Sequence, residues 1–562
     1  MGVADIFSWS PHITYPAFLL SILFPLLYKI YRRRLAFTDI PGPSGGHFLL
    51  GAHRSYSVDF GWIRRYGNVV KYNAAFGEQR LLINDPKALH YIMQTAGYGF
   101  VRTEDKKEPM RTLVGKGILT VEGDDHRRQR RIMLPSFGSI QANTFVPSFA
   151  AKAAQVYLIL PMADMIAKSM PDDKGTVVDI PSWYDLYRPR SSFMLRSAAF
   201  DYQLNALEDP TSNKLVSVYY NLFTKTRLTP TVLEIFLDEA LALVPKPLMR
   251  WWNDHVPNAR IVYMKRCREA AEDVARELVE RHTSTMAKDA SHNPDTLLAA
   301  PSFAHLRYPS TVRANAAAQP KARLDEDEVY AQLLTILLAG HETTANALSW
   351  AFFELAQQPG IQSRLRAEIR SVRASRSDAE LTTEAIHAMP YLNAVVKEIL
   401  RFHSPVYSTS RTATKDDVIP LERPIFDQHG RPIFEIAVPK GTYVSISIAA
   451  YSRERVLYGP DADLFNPERW LQGGSVSKHA GGGIYSNLFT FGSGHRGCLG
   501  WRFAVLEMSA FIVELVDQFE FSVLPDVVAR VYRGAAGVAI PMMKGESEKG
   551  VQLPLLVKLA PK

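Results

Sequence analysis

From Phe491 to Gly500 the chain reads Phe-Gly-Ser-Gly-His-Arg-Gly-Cys-Leu-Gly, four glycines in ten residues around one cysteine. Glycine has no Cβ, so a backbone this rich in it lets a large partner lie against the main chain. The next segment, Trp501 to Val516, reads as a helix. Cys498 then sits just ahead of a helix N-terminus, where unpaired N–H groups and the helix dipole stabilise a thiolate. The chain has only two cysteines, Cys267 and Cys498. A disulfide framework is therefore excluded, and a reducing compartment fits. No Cys-x-x-Cys and no Cys/His cluster suggests zinc. A cysteine that does chemistry here does so alone, and Cys267, in the charged run Lys265-Arg266-Cys267-Arg268, reads as incidental.

A second unusual segment, Leu337-Leu-Ala-Gly-His-Glu-Thr-Thr-Ala345, lies inside a long helical pattern over 326–358 that is apolar in its middle. Polar side chains placed there must find partners. One reading is a threonine bonded back to the carbonyl four residues earlier, which bends the helix. The other is a pocket, opened by Gly340, where an acid–alcohol pair relays protons. Downstream, Glu398 and Arg401 share one face of a helix read over 384–403. Alone they are no more than a surface pair. Pro405 follows, then Phe465-Asn-Pro-Glu-Arg-Trp470. Upstream, His126-Arg-Arg-Gln-Arg-Arg131 is a dense basic cluster. On a helix His126 and Arg130 share one face, and Arg127 and Arg131 a neighbouring one. The plain alternative is a solvated helix face.

These motifs, in this order, resemble those of the cytochromes P450. Phe491, Gly494, Arg496, Cys498 and Gly500 match that family's haem-binding pattern Phe-x-x-Gly-x-Arg-x-Cys-x-Gly. Ala339 to Thr344 match its Ala/Gly-Gly-x-Asp/Glu-Thr-Thr/Ser pattern, and 398–401 and 465–470 its Glu-x-x-Arg and Phe-x-Pro-Glu-Arg-Trp elements. The resemblance implies a mainly α fold with small β-sheets, the P450 fold, as a single catalytic domain over 36–562. It implies haem b with Cys498 as the axial thiolate, pushing electron density to the iron and favouring O–O cleavage. By the same resemblance Arg496, Arg130 and Arg411 meet the haem propionates, Thr343 is the alcohol and Glu342 the acid. Glu398, Arg401 and Arg469 would form a buried triad that locks the thiolate loop. Where the family usually has Trp-x-x-x-Arg, this chain has His126 and Arg130; a histidine still donates a hydrogen bond to a carboxylate.

The implied reaction inserts one oxygen atom of O2 into an apolar small molecule. Electrons come from NADPH through cytochrome P450 reductase, with cytochrome b5 as a further donor. Arg127, Arg128 and Arg131 are left to dock such an acidic flavoprotein. The chain looks like fungal microsomal members, many of which oxidise terpenoids or polyketides in secondary metabolism. Pocket residues are placed only by region: Ile118 and Leu119, Ala339, Val406 and Tyr407, and the loop from Gly534 to Ile540. Two rivals stand beside this reading, a P450-fold isomerase or dehydratase that does not use O2 and a non-catalytic haem-binding protein. Dependence on NADPH separates the first, a spectral response to an apolar ligand the second.

Ile13 to Tyr28 carries no charge, and with its flanks spans roughly 18–22 residues, about one bilayer thickness as a helix. Trp9 and Tyr31 flank it, and Arg32, Arg33 and Arg34 follow. The positive-inside rule then places the bulk of the chain in the cytosol, behind a single-pass anchor over 1–35 in the endoplasmic reticulum membrane. A cleaved signal peptide would carry its charge before the apolar run. Pro16 and Pro25 shorten or kink this helix, and Pro41-Gly-Pro43 makes a stiff elbow after it. A second membrane contact is read at Leu241 to Trp252. Residues 69–84 read as a hairpin with Gly77 in the turn, strand-like pieces are read at 433–448 and 552–559, and the polar stretch 285–325 reads as a surface loop. Apolar residues make up 47% of the chain, enough for a large core, and a diffuse net charge of +8 does not argue for nucleic acid.

Overall fold

The computed structural model describes residues 37–45, 56–158, 175–181, 259–292, 318–376, 380–471, 482–535 and 537–561, with isolated positions between these stretches. Its axis is the helix Glu326–Gln357. A capping box starts it: the Asp325 carboxylate accepts from Glu328 N at 2.8 Å, and Glu328 accepts from Asp325 N at 3.1 Å. Apolar residues on all sides of its middle demand burial all round. Trp501–Gln518, Pro359–Ala374, Pro390–Phe402 and Ala259–His292 pack against it and supply that burial. Trp350, Phe352 and Leu355 are buried within this core.

The sheets are small. The largest has five strands in the order Val69–Asn73, Gln79–Ile83, Tyr443–Ser447, Ser408–Ala413 and Phe100–Arg102. Its first two strands form the hairpin expected from the sequence, with Val69 opposite Ile83 and Asn73 opposite Gln79. The turn uses left-handed backbone at Phe76 (φ 59°) and Gly77 (φ 72°). Phe100–Arg102 pairs with Ser408–Ala413 so that Arg102 lies opposite Arg411. Two-stranded and three-stranded sheets complete the mainly helical fold.

Three expectations are corrected. The helix read over 384–403 is two helices, Thr383–His387 and Pro390–Phe402. Pro390 has no N–H to continue the first turn and instead opens the second. The strand piece read over 433–448 is two strands in different sheets, Pro432–Val438 and Tyr443–Ser447, divided by the turn at Pro439 to Thr442. The polar stretch 285–325, read as a loop, is helical as far as His292. Cys267 turns inward, fully buried among Leu113, Val114, Met264, Ala271, Leu334 and Leu338. No helix of the described residues is long and apolar enough to cross a membrane. The run Ile13 to Tyr28 lies outside the described residues, as does most of Leu241 to Trp252, of which Leu248 and Trp251 are exposed.

Candidate active site

The cysteine loop is shaped by its glycines and pinned by its own backbone. Gly492 and Gly494 adopt φ of 71° and 59°. A Cβ on Gly494 would lie 2.3 Å from the Met93 carbonyl oxygen, so only glycine fits. Cys498 N donates to Phe491 O at 2.8 Å, closing the loop, and Thr490 Oγ1 donates to Leu400 O at 2.7 Å, tying it to Pro390–Phe402. The Phe491 ring meets Tyr485 edge-on at 5.9 Å. Gly500 is different. Its φ is −86°, and a Cβ there would meet only Phe137, at 3.8 Å. Neither backbone nor packing requires a glycine, so the space it leaves is free for something bound.

Cys498 carries accessible surface, yet the protein around it is dense enough that burial pushes its thiol pKa up. The two facts agree if that surface belongs to an interior cavity. The Gly500 N–H and the Arg130 charge act the other way and favour the thiolate. The long helix shows the same pattern of exposure. Ala339 is exposed and Gly340 and Thr343 half-buried, while residues 331–338 and 344–350 are buried. Thr343 Oγ1 donates to Ala339 O at 2.7 Å, the back-bonded arrangement. Its lone pairs remain to accept from the cavity. Glu342 is buried and accepts from Asn346 Nδ2 at 3.4 Å. Successive helical residues point about 100° apart, so the acid stands behind the alcohol and not beside it.

A cluster of arginines surrounds the loop. Arg130 donates to Gly497 O at 2.8 Å, next to the cysteine. Arg496 donates to Val121 O at 2.7 Å and Ile118 O at 3.2 Å and is ion-paired with Glu122. Arg411 donates to Thr409 Oγ1 and Ser410 O, both at 2.8 Å. Arg102, which the sequence did not single out, joins them and donates to Leu119 O at 3.0 Å. Burial, reinforced by Arg496, pushes Arg102 down to about 10. Burial, with Arg102 and Arg496 beside it, pushes Arg411 down to about 9. Glu122 is the carboxylate that acts on Arg102, Arg411 and Arg496, while Arg130 has Cys498 and Tyr98 beside it. So large an excess of buried positive charge calls for anionic partners. His126 is buried, and its Nδ1 lies 2.6 Å from Tyr98 Oη.

The acid–base motif forms the expected cluster. Arg401 meets Glu398 twice, at 2.7 and 2.8 Å, and Arg469 Nε meets it at 3.0 Å. Asn466 N and Trp470 Nε1 complete the carboxylate's partners at 2.7 and 2.9 Å. All three charged side chains are fully buried. A further buried cluster went unread in the sequence. His403 Nε2 lies 2.6 Å from Glu354, its Nδ1 lies 3.1 Å from Arg533, and its ring stacks on Trp350 at 4.7 Å. Trp350 Nε1 donates to Ala539 O at 2.9 Å, and Ala539 N to Pro405 O at 2.8 Å. The long helix thus fixes both segments assigned to the pocket, around Val406 and from Gly534 to Ile540.

These residues fit a haem. Cys498 keeps accessible surface, Gly500 leaves a face of the loop clear, and the arginine excess suits two propionates. Arg128 is not part of this group. It donates to Glu328 Oε2 at 2.8 Å and so binds the basic helix Gly123–Met133 to the long helix.

The sequence matches the family model for cytochrome P450 over residues 41–542. It is 32% identical over 533 residues to cytochrome P450 monooxygenase 205 of Postia placenta, covering 92% of each chain. It is 30% identical over 544 residues to cytochrome P450 monooxygenase claO of Ampulloclitocybe clavipes, covering 94% of each. Match and geometry lead to one conclusion: the chain belongs to the cytochrome P450 family and is a P450 monooxygenase.

Proposed function

We propose that the chain oxidises an apolar small molecule in a cavity between the long helix and the cysteine loop, as a protein anchored in the endoplasmic reticulum membrane. Electrons reach it from NADPH through a reductase, with cytochrome b5 as a further donor. Haem bound through a thiolate supplies O2 binding and O–O cleavage. The observation that carries the reading is a cysteine with surface inside a buried setting, with Arg102, Arg130, Arg411 and Arg496 nearby and an ion pair to Glu122 at Arg496. Cys498 would hold the iron. Arg102, Arg130, Arg411 and Arg496 would neutralise the propionates, and His126 would donate to one. Ala339 and Gly340 would leave room beside the bound group, and the Thr343 oxygen, whose own proton goes to Ala339 O, would be free to accept a hydrogen bond there. Glu342 resupplies protons from behind through intervening water. Exposed Arg127 and Arg131 form the docking charge for the reductase; Arg128, paired with Glu328, is left out.

The test is the Soret band of the carbon monoxide adduct, recorded on membranes carrying the chain. Reduction by NADPH with a microsomal reductase should give a strongly red-shifted band, the mark of thiolate ligation. A band with dithionite but not with NADPH would overturn reductase coupling and favour the isomerase reading. No band in folded, haem-loaded protein would overturn the thiolate assignment. After an alkaline wash the band should stay with the membranes, and removal of residues 1–35 should release it. Retention without those residues would overturn the anchor.

A further inference from the structure

His126 stands where the family pattern has a tryptophan, whose indole can only donate. A neutral imidazole donates from one nitrogen or the other, so the replacement works only if something chooses the nitrogen. Burial, with Arg496 and Arg130 close by, pushes His126 down to about 2, so the ring is neutral and carries one proton. The described residue bonded to it is Tyr98, whose Oη lies 2.6 Å from Nδ1. Among the described residues no hydrogen bond reaches Nε2.

Tyr98 is itself held in place. Its ring packs on His495 at 4.3 Å, and Arg127 and Arg496 lie over it at 4.8 and 5.7 Å. His126 Nδ1 is the described partner of its hydroxyl. If Nδ1–H donated to Tyr98, the phenol proton of this half-buried residue would have no acceptor among the described residues. If Tyr98 donates to Nδ1, both groups are satisfied and the ring proton sits on Nε2. The nitrogen left over is then a donor, on the same helical face as Arg130, which reaches the carbonyl beside Cys498.

We propose that Tyr98 is a positioning residue that fixes His126 as its Nε2–H tautomer, so that the imidazole donates to a haem propionate in place of an indole. This rests on the haem-thiolate reading above. Tyr98→Phe keeps the ring contacts and removes only the hydroxyl. In the holoenzyme it should speed haem transfer to apomyoglobin about threefold to tenfold, the loss of roughly one net hydrogen bond. It should also lower the midpoint potential, because a less stabilised propionate leaves more negative charge beside the iron. His126→Phe should do the same, and adding Tyr98→Phe to it should change neither quantity further. His126→Trp carries its own fixed N–H, and in that background Tyr98→Phe should have no effect. An unchanged release rate in Tyr98→Phe, or an equal acceleration in the His126→Phe background, would overturn the proposal while the red-shifted carbon monoxide band of the parent still upheld thiolate ligation. Absence of that band in the parent would overturn both.

Discussion

At the scale of single residues, burial decides what each charge can do. Glu507 lies within Trp501–Gln518, buried, accepting from Thr344, with Oε2 unpaired. Burial pushes it up to about 8, from an ordinary glutamate value of 4.5. The folded state therefore holds a proton that the unfolded chain has lost. Its contribution to stability is fully present below pH 4.5 and lost as pH rises through 8. Glu507→Gln should melt at the parent's temperature near pH 4.5 and several degrees above it near pH 9, read by thermal unfolding of the holoprotein. Equal melting temperatures at high pH would show that Glu507 is ionised without cost. The Glu398 cluster is the opposite case, a buried carboxylate with every partner present. Glu398→Ala leaves Arg401 and Arg469 buried without it and should cost on the order of 3–5 kcal/mol, with reduced haem content. Glu468→Ala removes the partner of the half-exposed Arg364 and should cost within about 1 kcal/mol. Similar losses from the two changes would contradict the burial argument.

At the scale of elements, the helices carry side chains to the site and the loops carry the chemistry. The basic helix Gly123–Met133 divides its arginines by face. Arg130 turns to the cysteine loop, Arg128 to Glu328, and Arg127 and Arg131 to solvent, with Arg127 also paired to Asp124. Reversing Arg127 and Arg131 to Glu should slow electron transfer from the reductase and flatten its dependence on ionic strength, since surface charges act over a Debye length of about 10 Å at 0.1 M salt. Reduction by dithionite should be unaffected. Arg128→Glu should instead lower the melting temperature, because it sets two carboxylates together at the start of the long helix. Unchanged reductase kinetics in the double reversal would place the docking charge elsewhere. The cysteine segment, the hairpin of the first sheet and the long helix were all legible from local pattern. The break at Pro390 was signalled by the proline but hidden by continuous apolar periodicity on both sides.

At the scale of the whole molecule, one core joins pieces far apart in the chain. Glu398 takes partners at 401, 466, 469 and 470, and Thr490 ties the cysteine loop to the same helix. His403 links the end of the long helix to the strand Val531–Ala535. Packing brings the segment 118–122 to the cysteine loop through Arg496, and sets Arg102 opposite Arg411 on the strand Ser408–Ala413.

The sequence by itself determined the chemistry at the centre: a lone cysteine in a glycine-shaped loop ahead of a helix, and an apolar helix interrupted at Gly340 to Thr344. These are local patterns, and glycine spacing and helical periodicity act within a few residues. Only the tertiary structure decided which charges meet. Arg496 finds Glu122 across 374 positions, Arg128 finds Glu328 across 200, and Tyr98 finds His126 across 28. No local rule encodes those pairs. They form because the fold removes each group from water, and a buried polar group must then take whatever partner packing places beside it.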